Sequence, residues 1–423
     1  MRRPERPARA FCLHVSSSLI TILLAAGCDP STASLLGLPA GLVGSSASSS
    51  SPLAAPLGAG FSSEYVEAEP NELLASASPS PLPPGGRATL RGVLAGDADV
   101  DTYALGSAAA GDRITITADA DAGMTLAVGL FDEDEDLVDL VMDYGATGAP
   151  WSFETVCRET TGSLYAVVLS PTADRGTYEI TLDRSTGVAA THSQIVLLDF
   201  DGASHVSIGG TAAVDVPPFD AGDIDARWAG QTETMKQKIV AKVRQHFDGL
   251  NVDIRSTDDG PLSAPHTTIY FGTYNAALLG LADSVDSYNQ DPTESAIVFT
   301  DTFALFSVLN PTLDEIAQAI ANVASHEMGH LLGLWHTTDV QDLMDVTATA
   351  RQMLRMQTFR RAPLHPLVMP LGWQDGPSRL AWAVGGTLRQ TGRNARAVTP
   401  PDDEWRAAYD FTIDRRLLSS RCR

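Results

Sequence analysis

Positions 326–336 force one shape on the chain: a helix that stops and turns back. His326 and His330 are four residues apart, so they project side by side from one helix. His336 cannot join them on the same straight helix, where it would lie roughly 15 Å along the axis from His326. Gly333 is placed to reverse the chain, because glycine accepts the left-handed backbone that ends a helix. The spacing His326-Glu327-x-x-His330-x-x-Gly333-x-x-His336 therefore predicts three imidazoles meeting at one point, with an acid beside them. Three imidazoles are the donor set of a Zn2+ site that keeps a fourth position open, whereas structural zinc sites are closed by four ligands and are rich in Cys.

The helix announces its start. Thr312-Leu313-Asp314-Glu315 is a capping box, in which hydroxyl and carboxylate satisfy backbone donors reciprocally. Leu313, Ile316, Ile320, Val323, Ala324 and Leu331 then fall on one face, which is expected to point into a core. Glu327 lies in the middle of that face. A carboxylate there is unfavourable unless something positive meets it.

The string resembles the metzincin clan of zinc endopeptidases, whose pattern is HExxHxxGxxH followed by a Met-turn. Met344, in Asp342-Leu343-Met344-Asp345, stands where that turn belongs, although plain core packing would also account for it. The resemblance implies His326, His330 and His336 as zinc ligands, Glu327 as general base, and Gly333 and Met344 as supports. It implies an α+β, zincin-like catalytic domain over 190–375 acting on protein or peptide substrates. Val346 stands where some members of the clan carry a Tyr, so oxyanion stabilisation must come from elsewhere. No recognisable inhibitory pro-segment precedes the domain.

Residues 63–185 read as all-β, with short alternating runs such as Tyr178, Ile180, Leu182 separated by Gly, Pro and Asp clusters. Glu67-Ala68-Glu69-Pro70-Asn71-Glu72, followed by Gly92-Val93-Leu94 and Asp99-Val100-Asp101-Thr102-Tyr103, resembles the bacterial pre-peptidase C-terminal domain, a jelly-roll-like sandwich. That resemblance implies an accessory module rather than a catalytic one. The acidic run Asp132 to Asp136 is a candidate for Ca2+, with a solvated charged turn as the preferred reading.

Residues 1–28 read as an export signal: Arg2, Arg3, Arg6 and Arg9, an apolar run from Leu19, then Ala25-Ala26-Gly27-Cys28. The ending resembles a lipobox, which implies lipidation of Cys28 and a bacterial cell-envelope lipoprotein; a secreted form is the competing reading. Residues 29–62 are rich in Ser, Ala, Gly and Pro and read as a flexible linker. Residues 376–423 read as a tail whose structure the sequence does not define. After export, Cys157 and Cys422 are left as a candidate pair.

The formal charge of −23 is concentrated between Glu64 and Arg184, with 22 acidic residues against 6 basic. Such a field repels phosphate and excludes nucleic acid as the main partner. Contact with a membrane is expected only through the N-terminal lipid. The expected protein is an exported zinc endopeptidase, with a surface-anchored binding or adhesion lipoprotein as the alternative.

Overall fold

The computed structural model describes residues 62–96, 99–143 and 150–389. The export signal, nearly all of the linker, residues 390–423 and Cys12, Cys28 and Cys422 lie outside them.

The first half is all-β, as predicted. The strands are β1 (Ser62–Val66), β2 (Ser78–Pro79), β3 (Arg87–Leu94), β4 (Val100–Ala108), β5 (Asp112–Ala120), β6 (Leu126–Phe131), β7 (Leu137–Asp143), β8 (Trp151–Val156), β9 (Thr161–Leu169) and β10 (Gly176–Thr186). They form two five-stranded sheets, β1-β3-β10-β5-β8 and β2-β4-β9-β6-β7. Alternation decides which side chains meet between the sheets. Tyr178, Ile180 and Leu182 of β10 join Ile114 and Ile116 of β5 and Leu126, Val128 and Leu130 of β6. Buried Cys157 belongs to this core too, its thiol pushed up to about 11 by burial. Strand β6 is buried along its whole length. Its second face, Ala127 and Phe131, enters a cluster with Leu140 of β7 and with Leu364, Val368 and Met369 from the second half of the chain.

That second half is α+β. Strands β11 (Gln194–Asp199), β12 (Ala203–Val206), β13 (Val214–Val216), β14 (Val252–Ser256), β15 (Thr267–Phe271), β16 (Gly280–Ala282) and β17 (Ser295–Val298) precede the metal-site helix. The main sheet has the order β14-β11-β15-β17-β16. It is parallel except for β16, which lies antiparallel to β17 at the edge. Helix α1 (Thr232–His246) buries Met235, Ile239 and Val243, which recur every four residues and so share one face. It ends where Phe247 leaves the helical conformation, two residues before Gly249 takes φ +93°.

Helix α2 (Leu313–His330) begins at the predicted capping box. Thr312 N donates to Glu315 Oε2 at 2.7 Å, and Glu315 N donates to Thr312 Oγ1 at 3.2 Å. Its burial differs from the expected single apolar face: every residue from Ile316 to His330 is buried. The sheet, α1 and the segment after Met344 all pack against it. Small and hydrogen-bonded residues make this close approach tolerable. Asn322 Nδ2 donates to Met353 O at 2.9 Å, and Ser325 Oγ meets His246 Nδ1 at 2.7 Å.

Strands β18 (Arg361–Pro363) and β19 (Trp373–Asp375) pair antiparallel and lead into helix α3 (Gly376–Val384). The start of the expected tail is therefore a structured element. Asp375 caps α3 through Ser378 N at 3.2 Å, and Leu380, Ala383 and Val384 enter the main core.

Candidate metal centre

His326 and His330 sit on the last turns of α2, both 1% exposed. The helix stops immediately afterwards. Gly333 takes φ +88°, Gly333 N donates to His330 O at 2.9 Å, and Leu334 N donates to Gly329 O at 2.9 Å. These bonds close a glycine-terminated C-cap and turn the chain back. His336 comes round to face the helix: its Nε2 lies 3.2 Å from that of His330, which lies 3.1 Å from that of His326. The three rings fan about one point, with interplanar angles of 83° for His326–His330 and 75° for His330–His336.

Hydrogen bonding fixes which nitrogens face inward. His326 Nδ1 lies 2.7 Å from Leu343 O, and His330 Nδ1 lies 2.8 Å from Leu334 O. A carbonyl only accepts, so each Nδ1 carries the proton and donates, leaving each Nε2 with a bare lone pair. The short Nε2–Nε2 separations are therefore lone pairs crowded together rather than hydrogen bonds. Nitrogens held 2.0–2.1 Å from one tetrahedral zinc ion are roughly 3.3–3.4 Å apart, close to the observed spacing. Burial pushes the His326 imidazole down to about 4 and holds His330 and His336 well below the ordinary range. Neutral imidazole is the form that binds metal. The donor set fits zinc.

Glu327 is fully buried, and neither carboxylate oxygen has a protein hydrogen-bond partner. Burial pushes its carboxyl well above the usual range. Only a nearby cation or a water can compensate the ionised form here. The backbone of β16 presses on it, so a side chain at Gly280 would overlap Glu327 Oε1. His336 is the partly exposed member of the histidine set and marks the approach from solvent.

Met344 is fully buried against the helix: a Cβ on Gly329, between the two helical histidines, would stand 2.5 Å from its sulfur. Met344 O accepts from Thr337 N at 2.9 Å, which ties its turn to the residue after His336. Thr337 Oγ1 in turn donates to buried Asp342 at 2.7 Å. Three residues to which the sequence pattern assigns no role hold the returning segment. They are Asp342, Gln374, whose amide bonds both backbone groups of Trp335, and Arg379, which donates to Gly333 O at 3.0 Å. Asp342 lies in the Met344 string itself, whereas Gln374 and Arg379 have no motif beside them in the sequence.

Among the described residues, a second group of metal-capable side chains is Glu67, Glu69 and Asp101, with ligand atoms within 4.8 Å of one another. Asp132 to Asp136, the stretch considered for Ca2+, belongs to neither group. Asp132 Oδ1 accepts from Asp134 N and Asp136 N at 2.9 and 2.8 Å, and Asp136 pairs with Arg361 at 2.8 Å. The turn is exposed at Glu133, Asp134 and Glu135, in line with the preferred solvated turn, and only its Asp136 end makes an interdomain contact. Cys157 lies in the sandwich core and in neither group.

The model of the Matrixin family matches residues 218–359, a span covering α1, α2, the three histidines and the Met344 turn. Among solved structures, the chain is similar to the pre-peptidase C-terminal domain of a Bacillus anthracis collagenase. That likeness has 21% identity, covers 25% of this chain and 94% of that one, and has a TM-score of 0.20. Archaemetzincin from Methanopyrus kandleri is 14% identical over 40% of this chain and 89% of its own, with a TM-score of 0.24. A periplasmic lysozyme inhibitor from Aeromonas hydrophila is 12% identical over 30% and 99%, with a TM-score of 0.19. No curated protein matches the chain.

Proposed function

We propose that this chain, a metzincin-type domain joined to a β-sandwich, is a zinc-dependent endopeptidase. The ligands in this reading are His326, His330 and His336. The observation that carries it is the convergence of imidazole lone pairs beside a buried carboxylate with no protein partner. Zinc, when bound, supplies Lewis acidity that polarises a carbonyl and makes water easier to deprotonate. Glu327 takes the proton from the attacking water and delivers it to the departing amine. The carbonyls of Leu343 and Leu334 hold the His326 and His330 rings in the metal-binding tautomer. A peptide is favoured as substrate because β16, beside Glu327, is the edge of the sheet. An extended chain recognises such an edge by adding a strand. Export belongs to the same proposal, with Cys28 as the acylated residue.

The test is cleavage of an unstructured protein such as casein, abolished by chelator and restored by zinc, in wild type and Glu327→Gln. The variant should retain one zinc per chain and lose roughly 10²–10⁴-fold in rate. Undiminished hydrolysis by Glu327→Gln would remove the general base from this account. A zinc-free wild type that still captured a partner would favour the binding lipoprotein.

A further inference from the structure

The segment that returns His336 to the helix is gripped from two sides, and both grips are anchored on the β-sandwich. From one side comes the 286–288 loop. Asp286 N donates to His330 O at 3.0 Å, and the loop backbone lies against Gly333, where a Cβ would stand 3.0 Å from Tyr288 N. The side chains of the same loop reach β7: Ser287 Oγ donates to Asp139 Oδ1 at 2.7 Å, and Tyr288 Oη donates to Val138 O. From the other side comes the 373–384 segment. Gln374 bonds Trp335 N and O at 2.7 and 2.8 Å. Arg379, 2% exposed, spreads its guanidinium over Leu137 O at 2.8 Å, Val138 O at 2.7 Å and Gly333 O at 3.0 Å.

One buried guanidinium thus joins the sandwich backbone to the carbonyl of the residue that reverses the chain. Its planar fork suits several carbonyls at fixed angles, which a lysine could not reproduce. The apolar seam runs the same way. Phe131, Leu137 and Leu140 share a cluster with Leu364, Val368 and Met369, and Trp335, the neighbour of His336, packs on it. Arg361 clasps Asp136 at 2.8 Å, and Trp373 N donates to Glu135 O at 2.9 Å.

We propose that the β-sandwich is a structural part of the metal centre, with β7 as the template that sets the 330–336 reversal. Arg379 and Gln374 are its positioning residues. The inference rests on the zinc reading given above. It replaces the accessory role implied by resemblance, because a module that merely tethers has no reason to grip the ligand segment. Coupling of this kind is reciprocal: whatever docking does for zinc affinity, zinc does for docking.

The experiment measures zinc affinity by chelator competition, and the visible spectrum of the cobalt-loaded full chain, for wild type, Arg379→Met and Gln374→Met. Loss of such outer partners is expected to weaken zinc binding by roughly 10–100-fold and to shift the cobalt bands. Folded variants with affinity within about twofold of wild type and unchanged cobalt bands overturn the proposal, given that expected range. Should Arg379→Met not fold, hydrogen exchange on the wild type decides. Amides 137–140 and 286–289 must exchange more slowly with zinc than without, and equal rates overturn the proposal. A wild type that binds no zinc sinks the zinc reading itself, an outcome distinct from normal zinc binding that ignores Arg379.

Discussion

Replacing Gly333 with alanine separates the two demands that the reversal makes on its backbone. The residue sits at φ +88°, and an added Cβ would lie 2.8 Å from Ser287 Cα, 3.0 Å from Asp286 O and 3.0 Å from Tyr288 N. The left-handed conformation costs an L-residue about 1–2 kcal/mol. Forcing a methyl against backbone that cannot swing aside adds about 1–3 kcal/mol. Reduced freedom of the unfolded chain offsets about 0.4–1 kcal/mol. The net destabilisation is therefore about 1–4.6 kcal/mol. Gly230 supplies the control, since it has φ +76° and nothing within 4 Å of its would-be Cβ. Gly230→Ala carries only the conformational penalty. Denaturant unfolding of both variants in the presence of chelator should show Gly333→Ala weaker than Gly230→Ala by at least about 1 kcal/mol. Zinc affinity should fall for Gly333→Ala alone, because only there does the methyl sit on the segment carrying His336 and push it off the 286–288 loop. Equal stability of the two variants, with equal zinc affinity, would refute the close-approach argument.

Two further outcomes are expected. Burial, with the carboxylates of Asp286, Asp283 and Asp291 nearby, pushes Glu294 up to about 7 against a hydrogen bond from Ser284. The folded chain then holds this proton more tightly than the unfolded one, whose value is near 4.5, so the group's contribution is full below about pH 4.5 and is lost as pH rises to about 7. Glu294→Gln should flatten the decline of Tm across roughly pH 5–7, and a slope identical to wild type would contradict the assignment. For export, the chain made in a bacterial host should incorporate labelled palmitate and partition with membranes. Cys28→Ser should lose both properties, and continued membrane association of that variant would count against a lipid anchor.

The donors of the site were readable because they are local. Helical spacing places His326 beside His330, and Gly333 is the residue that permits His336 to return; both facts lie within one short string. The start of α2 was readable for the same reason, since a capping box is a contact between residues three apart. What the sequence hid is everything that acts on this string from a distance. Burial of α2 on all sides comes from three separate elements closing on it, which no periodicity within the helix reports. Arg379 looks like an ordinary surface cation, and becomes a buried clasp only because β7, 241–242 residues earlier, offers it two carbonyls. Asp136 belongs to a run that composition assigns to solvent, yet Arg361, 225 residues away, takes it into the seam. A motif can name the atoms that would hold a metal, because those atoms share one turn of chain. The stiffness with which they are held is a tertiary quantity, set here by a domain whose own sequence gives no hint of the metal centre it braces.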